Sequence, residues 1–438
     1  MLTVASLANL FPSPVEPYVG QEIEELRRRG LCVIAGSVWK ARTREEGALT
    51  TGCAPEVVLQ PLQGTVLLRA AWLCLTRWNR ISPLIVRVIC RGAESPLQRL
   101  KALLHTWLGA CYAVLLEERG IEHIHVHHGY FGSWVAMVAA RLLGVGFTMT
   151  LHGSDLLLHG TYLDVKLKNC ALCVTVSEYN RRYILEHYPG VDAEKVTVSR
   201  MGADVSERTQ ISAAAPMSRG EGFQLLAVGR LHEVKDHAFL VRACAELDSR
   251  GVNFECSIAG EGLERRNLES LIRRHGLEEK VVLLGHVARE QMDSLYERAD
   301  VVVLTSRSEG IPLALMEAMA RGKIVLVPEI TGIPELVIGG KTGFLYEAGS
   351  LDDFVDRLLC IRSILRASPH PDLPHPDLHS DTVWAARRMD WVRHAARVHV
   401  FHNFNRSKNL ECFCDVYIQQ IAQRTESVPH ENPILQQI

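Results

Sequence analysis

Two glutamates, Glu309 and Glu317, stand with seven residues between them in a string that opens Ser306-Arg307-Ser308-Glu309-Gly310-Ile311-Pro312-Leu313. An apolar run, 301–305, precedes the string. Gly310 and Pro312 turn the chain, and Pro312 falls near the first position of a helix, where proline is favoured. A helix N-terminus offers unpaired N–H groups to an anion. Glu317 lies about one turn further on among Met and Ala residues, so its helix is expected to be buried and its carboxylate to need a partner. Such a pair could hold polyol hydroxyls beside an anion. The same residues also admit a plain reading, with Glu309 capping the helix and Glu317 in a structural ion pair.

Other residues able to do chemistry follow apolar strand-like runs. Gly229-Arg230-Leu231 and Val234-Lys235-Asp236 come after 223–228. An arginine there can fork to two phosphate oxygens while a lysine supplies a point charge; the alternative is a solvated surface pair. His152-Gly153-Ser154-Asp155 follows 147–151, and His127 with His128 follows 123–126. Structural roles remain open for these histidines, and Asp155 either positions His152 or caps the next helix. Gly260-Glu261-Gly262 follows 254–259, but Arg265 occupies the third glycine position of a dinucleotide fingerprint, which argues against that use. The turn itself is the plain role of Gly260. Cys170 and Cys173 form a lone C-x-x-C without the two further ligands of a structural zinc site and read as small buried hydrophobes.

These residues need elements to hold them. At 438 residues the chain is expected to form two or three domains. Short β-branched runs alternate with helix-length segments, the pattern of parallel sheets with crossover helices. Ligands in such sheets bind beyond the carboxyl ends of strands. A polar small-residue stretch at 205–222 breaks the alternation and reads as a linker. The pattern divides into a first domain over 1–205, a linker over 206–222, a second domain over 223–383 and terminal helices over 384–438. The segment 368–380 repeats His-Pro-Asp-Leu and reads as a surface loop rather than a metal site.

Composition excludes several classes. The chain is 47% hydrophobic and 22% charged with a net charge of −2, so no global field favours nucleic acid. The charge is uneven: 61–116 holds seven basic residues, among them Arg69, Arg77, Arg80, Arg87, Arg99 and Lys101, against one acid, Glu94. With its apolar neighbours this segment is expected either to lie at a membrane interface or to form a core helix with its basic residues in water. No run is long enough to span a bilayer. The N-terminus shows no secretory signal, and the twelve scattered cysteines read as reduced thiols of a cytoplasmic protein.

The ordered set of motifs resembles the retaining glycosyltransferases of family 4, which have the GT-B fold. Glu309 and Glu317 match the family's E-x7-E spacing. Thr331-Gly332-Ile333-Pro334-Glu335 and Gly340-Lys341-Thr342-Gly343 continue the match, as do Val176-Ser177 and Gly202-Ala203-Asp204 upstream. The matches run in order over about 120–346. Phe11-Pro12 and Glu16-Pro17-Tyr18 depart from the usual glycine pair and approach the variant found in colanic-acid and exopolysaccharide transferases.

The resemblance implies an α/β protein of two Rossmann-like doubly wound domains facing a cleft that closes at the linker. It implies transfer of a hexose-type sugar from a UDP- or GDP-sugar to a saccharide or lipid-linked saccharide. Carried over residue by residue, His152, Glu309, Arg230 and Lys235 are catalytic, with Arg230 and Lys235 neutralising the departing diphosphate. Glu317, Gly310, Ile311, Pro312, Leu313 and Gly260 bind the donor, Glu317 through the ribose. Glu16, Tyr18, His127 and Asp155 sit on the acceptor side. No D-x-D occurs in the chain, and no obligatory metal or other cofactor is expected. The expected site of action is cytoplasmic, at the inner face of the plasma membrane with peripheral contact to anionic lipid. An epimerase on the same scaffold and a non-catalytic nucleotide-sugar binder are the competing readings.

Overall fold

Runs of Val, Ile and Leu with helix-length segments between them leave neither face of a strand to water, and here they assemble as two parallel sheets. The computed structural model describes residues 2–13, 16–40, 54–204, 222–367 and 381–427. The chain divides into two units, Met1–Ser199 with Leu410–Ile438, and Arg200–Asn409.

The first unit contains β1 (Thr3–Leu10), β2 (Cys32–Trp39), β3 (Val57–Val58), β4 (His123–His127), β5 (Gly146–Leu151), β6 (Leu172–Thr175) and β7 (Val196–Val198). They pair in parallel in the order β3-β2-β1-β4-β5-β6-β7. The second unit contains β8 (Phe223–Val228), β9 (Phe254–Ala259), β10 (Val281–Gly285), β11 (Val301–Val303), β12 (Ile324–Pro328) and β13 (Phe344–Tyr346). Their order is β10-β9-β8-β11-β12-β13, again all parallel. Each sheet reverses its strand order once, between β1 and β4 and between β8 and β11. Crossover connections diverge there, and the carboxyl ends of those two strands frame a crevice.

Both faces of each sheet are covered. In the first unit, Tyr112, Trp134 and Met137 from helices Pro96–Leu116 and Phe131–Leu143 pack one face. Ile23 and Leu26 from helix Pro17–Arg28 pack the other, with Phe413, Tyr417 and Ile421 from helix Arg406–Ser427. At about 1.5 to 3 kcal/mol per large apolar side chain, the last three suffice to hold that helix on the sheet. The second unit packs Phe239, Leu240 and Phe354 on one face and Tyr296, Leu315, Met316 and Phe404 on the other.

Two sequence expectations change. The terminal helices do not separate from the second unit at 384: helix Asp381–Asn403 buries Met389 and Val392 in one of that unit's cores and Ala396 and Val400 in the other, so the first unit resumes only at Leu410. The expected linker over 206–222, apart from Gly222, and the repeat at 368–380 lie outside the described residues. Finally, five of the six arginines of 61–116, all but the exposed Arg91, are engaged rather than free. Arg69 pairs with Glu117 and Glu118, Arg77 with Glu117 and the Leu142 carbonyl, and Arg80 reaches the Leu142 carbonyl. Arg87 is held by Glu94 and Asp164, and Arg99 by the carbonyls of Val88, Ile89 and Gly92. Their guanidinium groups satisfy helix-end carbonyls and local acids, which a count of charges does not reveal.

Beside its exposed basic residues, Arg69, Arg80, Arg91 and Lys101, this segment also exposes apolar ones. Helices Gly64–Thr76, Trp78–Cys90 and Pro96–Leu116 leave Leu68, Trp72, Leu75, Trp78, Val86, Ile89, Leu97, Leu100 and Leu104 open to solvent. Among the described residues no helix is long and apolar enough to cross a membrane.

Candidate active site

In the second unit, the loops after β8 and β11 follow the two strands at the order reversal. The two loops are stitched together: Arg307 N donates to the Val234 carbonyl at 2.8 Å, and Thr305 Oγ1 to the Lys235 carbonyl at 3.0 Å. Asp236, in a left-handed conformation, caps helix His237–Ser249 by accepting from Phe239 N at 3.2 Å and holds Arg307 Nε at 2.8 Å. This frame brings Lys235 Nζ to 2.5 Å from Glu309 Oε1, with both side chains mostly buried. Thr331 fixes the Glu309 backbone, its hydroxyl lying 3.3 Å from Glu309 N and 2.6 Å from Glu309 O. A β-branched residue at φ 43°, as Thr331 is, persists only where its surroundings enforce it.

Arg230 is exposed, and among the described residues no carboxylate pairs with it. His237 is buried beside the Gly229–Arg230 backbone, yet neither ring nitrogen reaches hydrogen-bond geometry, and the buried hydroxyls of Ser306 and Ser308 also lack partners. Burial, then the Lys235 charge, pushes the His237 pKa down to about 4, so the ring is neutral. Leaving a buried polar group unpaired costs about 1 to 3 kcal/mol, and a polar ligand at these loops would recover part of that.

Gly260 explains how the β8 loop is held. At φ 151° its missing Cβ would lie 1.9 Å from the Gly229 carbonyl oxygen, and that of Gly262 would lie 2.2 Å from the Leu231 carbonyl oxygen. The β9 loop presses directly on the backbone that carries Arg230.

Helix Leu313–Ala320 starts at Pro312 with no side-chain cap and no acid in its first turn. Gly310 and Ile311 are buried just before it. Glu317 accepts from the Tyr296 hydroxyl at 3.1 Å. Burial, then Glu317, holds the Tyr296 phenol well above its ordinary pKa. Neither plain sequence reading of the two glutamates is realised: Glu309 pairs with Lys235 instead of capping, and Glu317 meets a phenol instead of a cation.

The first unit gathers a second cluster at the carboxyl ends of β4 and β5 and the start of helix Pro17–Arg28. His128, at φ 70°, places Nε2 2.8 Å from Glu16 Oε1 and 3.2 Å from the Tyr18 hydroxyl. Its Nδ1 lies 3.7 Å from Asp155 Oδ2. Asp155 is fully buried and accepts from the N–H groups of Gly129, His152 and Gly153. It therefore positions the His152 loop through the backbone. The His152 ring lies 4.4 Å from that of His128 and 4.8 Å from that of Tyr18, and its Nε2 is 3.4 Å from His127 Nδ1.

Charge in this cluster is sharply divided. Burial pushes the His128 imidazolium down, but Asp155 and Glu16 together outweigh it and hold its pKa at about 9. Burial likewise works against the Asp155 carboxylate, yet the bond and charge of His128, with help from His152 and Gly129, keep it far below the usual range. Burial, then the His128 charge, drives His152 well below its ordinary value. His152 is thus a neutral imidazole beside a charged one, suited to hydrogen-bond a hydroxyl.

Every acceptor-side candidate (Glu16, Tyr18, His127, Asp155) thus falls in one cluster with His152, while Arg230, Lys235, Glu309 and Gly260 converge in the other unit with helix Leu313–Ala320. The structure makes His128, noted in the sequence beside His127, the hub of the first cluster and adds His237, Ser306, Ser308, Thr331 and Tyr296 to the second. Ser306 and Ser308 stood inside the quoted string, but being buried without a partner has no sequence signal. Among the described residues one set of side chains has metal-ligand spacing, Glu22, His125 and His127, whose donor atoms lie within 4.8 Å of one another. Both nitrogens of His125 already meet threonine hydroxyls, Thr148 at 2.8 Å and Thr150 at 3.2 Å, while His127 Nε2 lies buried 3.4 Å from Glu22 Oε1 without hydrogen-bond geometry.

Two family models match in sequence order: Glycosyltransferase Family 4 over residues 67–207 and Glycosyl transferases group 1 over 210–365. Among similar proteins, WcaL of Salmonella typhimurium, assigned by name to colanic acid biosynthesis, is 37% identical over 39% of this chain and 42% of its own length. The amylovoran biosynthesis glycosyltransferase AmsK of Erwinia amylovora is 35% identical over 36% of this chain and 40% of its own. The match thus spans about two fifths of each relative. Solved structures resemble the whole chain. Sucrose-phosphate synthase from Thermosynechococcus elongatus aligns with a TM-score of 0.68 at 16% identity, covering 97% of this chain and 100% of that one. Anabaena HepE in complex with UDP-glucose aligns at 0.64 and 18%, covering 98% and 100%. At such identities these neighbours speak for the GT-B fold alone. Matched in order over about two thirds of its length, the chain carries a Glycosyltransferase Family 4 domain followed by a Glycosyl transferases group 1 domain.

Proposed function

We propose that this protein transfers a hexose-type sugar, with retention, from a UDP- or GDP-sugar to a saccharide or lipid-linked saccharide in exopolysaccharide synthesis. The observation that carries the reading is the state of the second unit's crevice: an unpaired arginine, a mostly buried Lys235–Glu309 pair and the partnerless Ser306, Ser308 and His237, all on loops after β8, β11 and their neighbours. A departing nucleoside diphosphate develops negative charge, and fixed cations lower that barrier most where water is excluded. Arg230 forks to the phosphate oxygens. Lys235 exchanges Glu309 for a phosphate oxygen, which frees Glu309 to contact sugar hydroxyls and to steady positive charge at the anomeric carbon. Glu317, oriented by Tyr296, holds the ribose, and N–H groups at the start of helix Leu313–Ala320 add donors to the diphosphate.

On the acceptor side the proposal uses the first unit: neutral His152 bonds a sugar hydroxyl, and Glu16, Tyr18, His127 and Asp155 shape its surroundings. The two cations take the charge that a metal neutralises in other transferases, so chelator leaves the rate unchanged. The relatives named for polysaccharide synthesis support this acceptor class, and the UDP-glucose held by HepE supports the donor class.

A thermal-shift panel of nucleotide sugars tests the reading. A true donor at 100 times its Kd adds about 2.7 kcal/mol of stability, and the same compound supports chelator-insensitive transfer with retained anomeric configuration. Stabilisation by no UDP- or GDP-sugar would overturn it.

A further inference from the structure

The first unit holds a cavity of about 670 Å³ that neither cluster uses. It sits at the sheet's own order reversal: Asn9 is the last residue but one of β1, Tyr130 and Phe131 follow β4, and Trp134 continues the helix begun at Phe131. One wall comes from helix Pro96–Leu116, whose first turn is fixed by a reciprocal cap. Ser95 Oγ accepts from Gln98 N, and the Gln98 side chain accepts from Ser95 N at 2.8 Å. Gln98, Lys101, Ala102 and His105 line the cavity at helical spacing.

The lining is cationic and contains no carboxylate. Lys166 is buried and spends two of its three N–H bonds on the carbonyls of Gly129, at 2.6 Å, and Tyr130, at 3.2 Å. Burial lowers its pKa to about 7, so the third N–H belongs to the protonated amine, the form that an anionic ligand would favour. Lys101 is exposed and has no partner among the described residues. The acids nearest Lys166 are otherwise engaged, Asp155 with three backbone N–H groups and His128, and Asp164 with Arg87. Two more polar atoms wait: Asn9 Oδ1 and the Tyr162 hydroxyl are buried without partners, and Tyr162 is only 4% exposed. Burial, then the charges of Lys166 and Lys101, lowers His105 to about 4, leaving a neutral ring tilted 34° to that of Phe131 at 5.2 Å.

Next to this wall, on the same helix, Leu97, Leu100 and Leu104 point into solvent. They stand at i−4, i−1 and i+3 from Lys101, so an amphiphile can set its anionic head among the lysines while its chain crosses the leucines. We propose that this cavity binds the phosphate or diphosphate head of a lipid-linked substrate, with its hydrocarbon chain lying over Leu97, Leu100 and Leu104. The assignment rests on the transferase reading and names the carrier of its acceptor. It also replaces the arginines of 61–116 as the point of membrane contact, since all but Arg91 are committed internally. Charge complementarity favours a phosphorylated lipid over a peptide groove, and the adjoining leucines favour it over a free sugar phosphate.

Flotation of the full chain with three kinds of vesicle tests this: phosphatidylcholine alone, phosphatidylcholine with phosphatidylglycerol, and phosphatidylcholine with a polyprenyl diphosphate. The diphosphate vesicles should be bound about tenfold more tightly than the phosphatidylglycerol vesicles, the value of one good charge-assisted contact. Lys101→Gln, a surface change that leaves folding intact, should remove most of that preference. Leu100→Gln with Leu104→Gln should weaken binding to all three vesicles alike. Equal binding of both anionic vesicles, or a preference that survives Lys101→Gln, overturns the assignment. So does soluble pyrophosphate binding at Lys101 with no gain for diphosphate vesicles, because the ligand is then a free phosphate. Thermal shift with nucleotide sugars on the same samples separates the two claims. Donor stabilisation that persists in Lys101→Gln is expected, and its absence from the unaltered protein overturns the transferase reading instead.

Discussion

Arg230 and Lys235 carry the same charge on the same loop, yet removing each should have different consequences for stability. Arg230 is exposed and has no acid partner among the described residues. Arg230→Met therefore deletes a solvated charge, and a surface change of that kind stays within about 0.5 kcal/mol. Lys235→Met deletes the partner of Glu309, whose side chain is only 10% exposed. Stranding a buried charge costs up to about 3 kcal/mol. For a unit of this size that lowers Tm by about 6 to 12 °C.

Donor binding should not separate them, with both variants losing. A hydrogen bond to a charged group contributes about 1.5 to 3 kcal/mol, so Arg230→Met should weaken UDP about 10- to 150-fold at unchanged Tm. Lys235→Met should lose affinity to a comparable degree, and restoring charge balance with Glu309→Gln should return Tm without returning affinity. Calorimetric titration with UDP, alongside thermal unfolding without ligand, reads both quantities. If Arg230→Met bound UDP as tightly as the unaltered protein, or lost as much Tm as Lys235→Met, the idea of a cation held in readiness for the diphosphate would fail.

Two further outcomes follow from particular contacts. His128 is held at about 9, above its ordinary 6.5, so its contribution to stability is complete below pH 6.5 and is lost as pH rises through about 9; urea unfolding between those limits should show stability falling with pH, and Glu16→Gln should shift the fall to lower pH, whereas a flat profile contradicts the charged assignment. Gly260→Ala forces a Cβ to 1.9 Å from the Gly229 oxygen, which should cost about 1 to 3 kcal/mol and weaken UDP by displacing Arg230; Gly64→Ala, which meets nothing within 4 Å, should do neither, and equal effects of the two would remove the special role of the β9 turn.

Much of this was legible from the chain itself. β-branched runs separated by helix-length segments dictate buried parallel strands, because burial on both faces removes the alternation that a half-exposed strand requires. The motifs sit where they do because such sheets present their loops at strand ends, which makes Arg230, Lys235, Glu309 and His152 recognisable by position as well as type. The spacing of Glu309 and Glu317 likewise put both near one helix N-terminus.

Partnership was decided only in three dimensions. Nothing local pairs Lys235 with Glu309 across 74 positions, leaves Arg230 unpaired, or strands the hydroxyls of Ser306 and Ser308. The count of arginines in 61–116 suggested a basic face, but long side chains reach carbonyls and acids far along the sequence, as Arg77 does at Leu142 and Arg87 at Asp164. What remained at the surface without a partner was largely leucine and tryptophan, with Lys101 among them. Sequence determines which groups are available and the period on which they repeat. The fold decides which of them are already satisfied, because hydrogen bonds and charges are settled through space, and only those left over are free to act on a ligand.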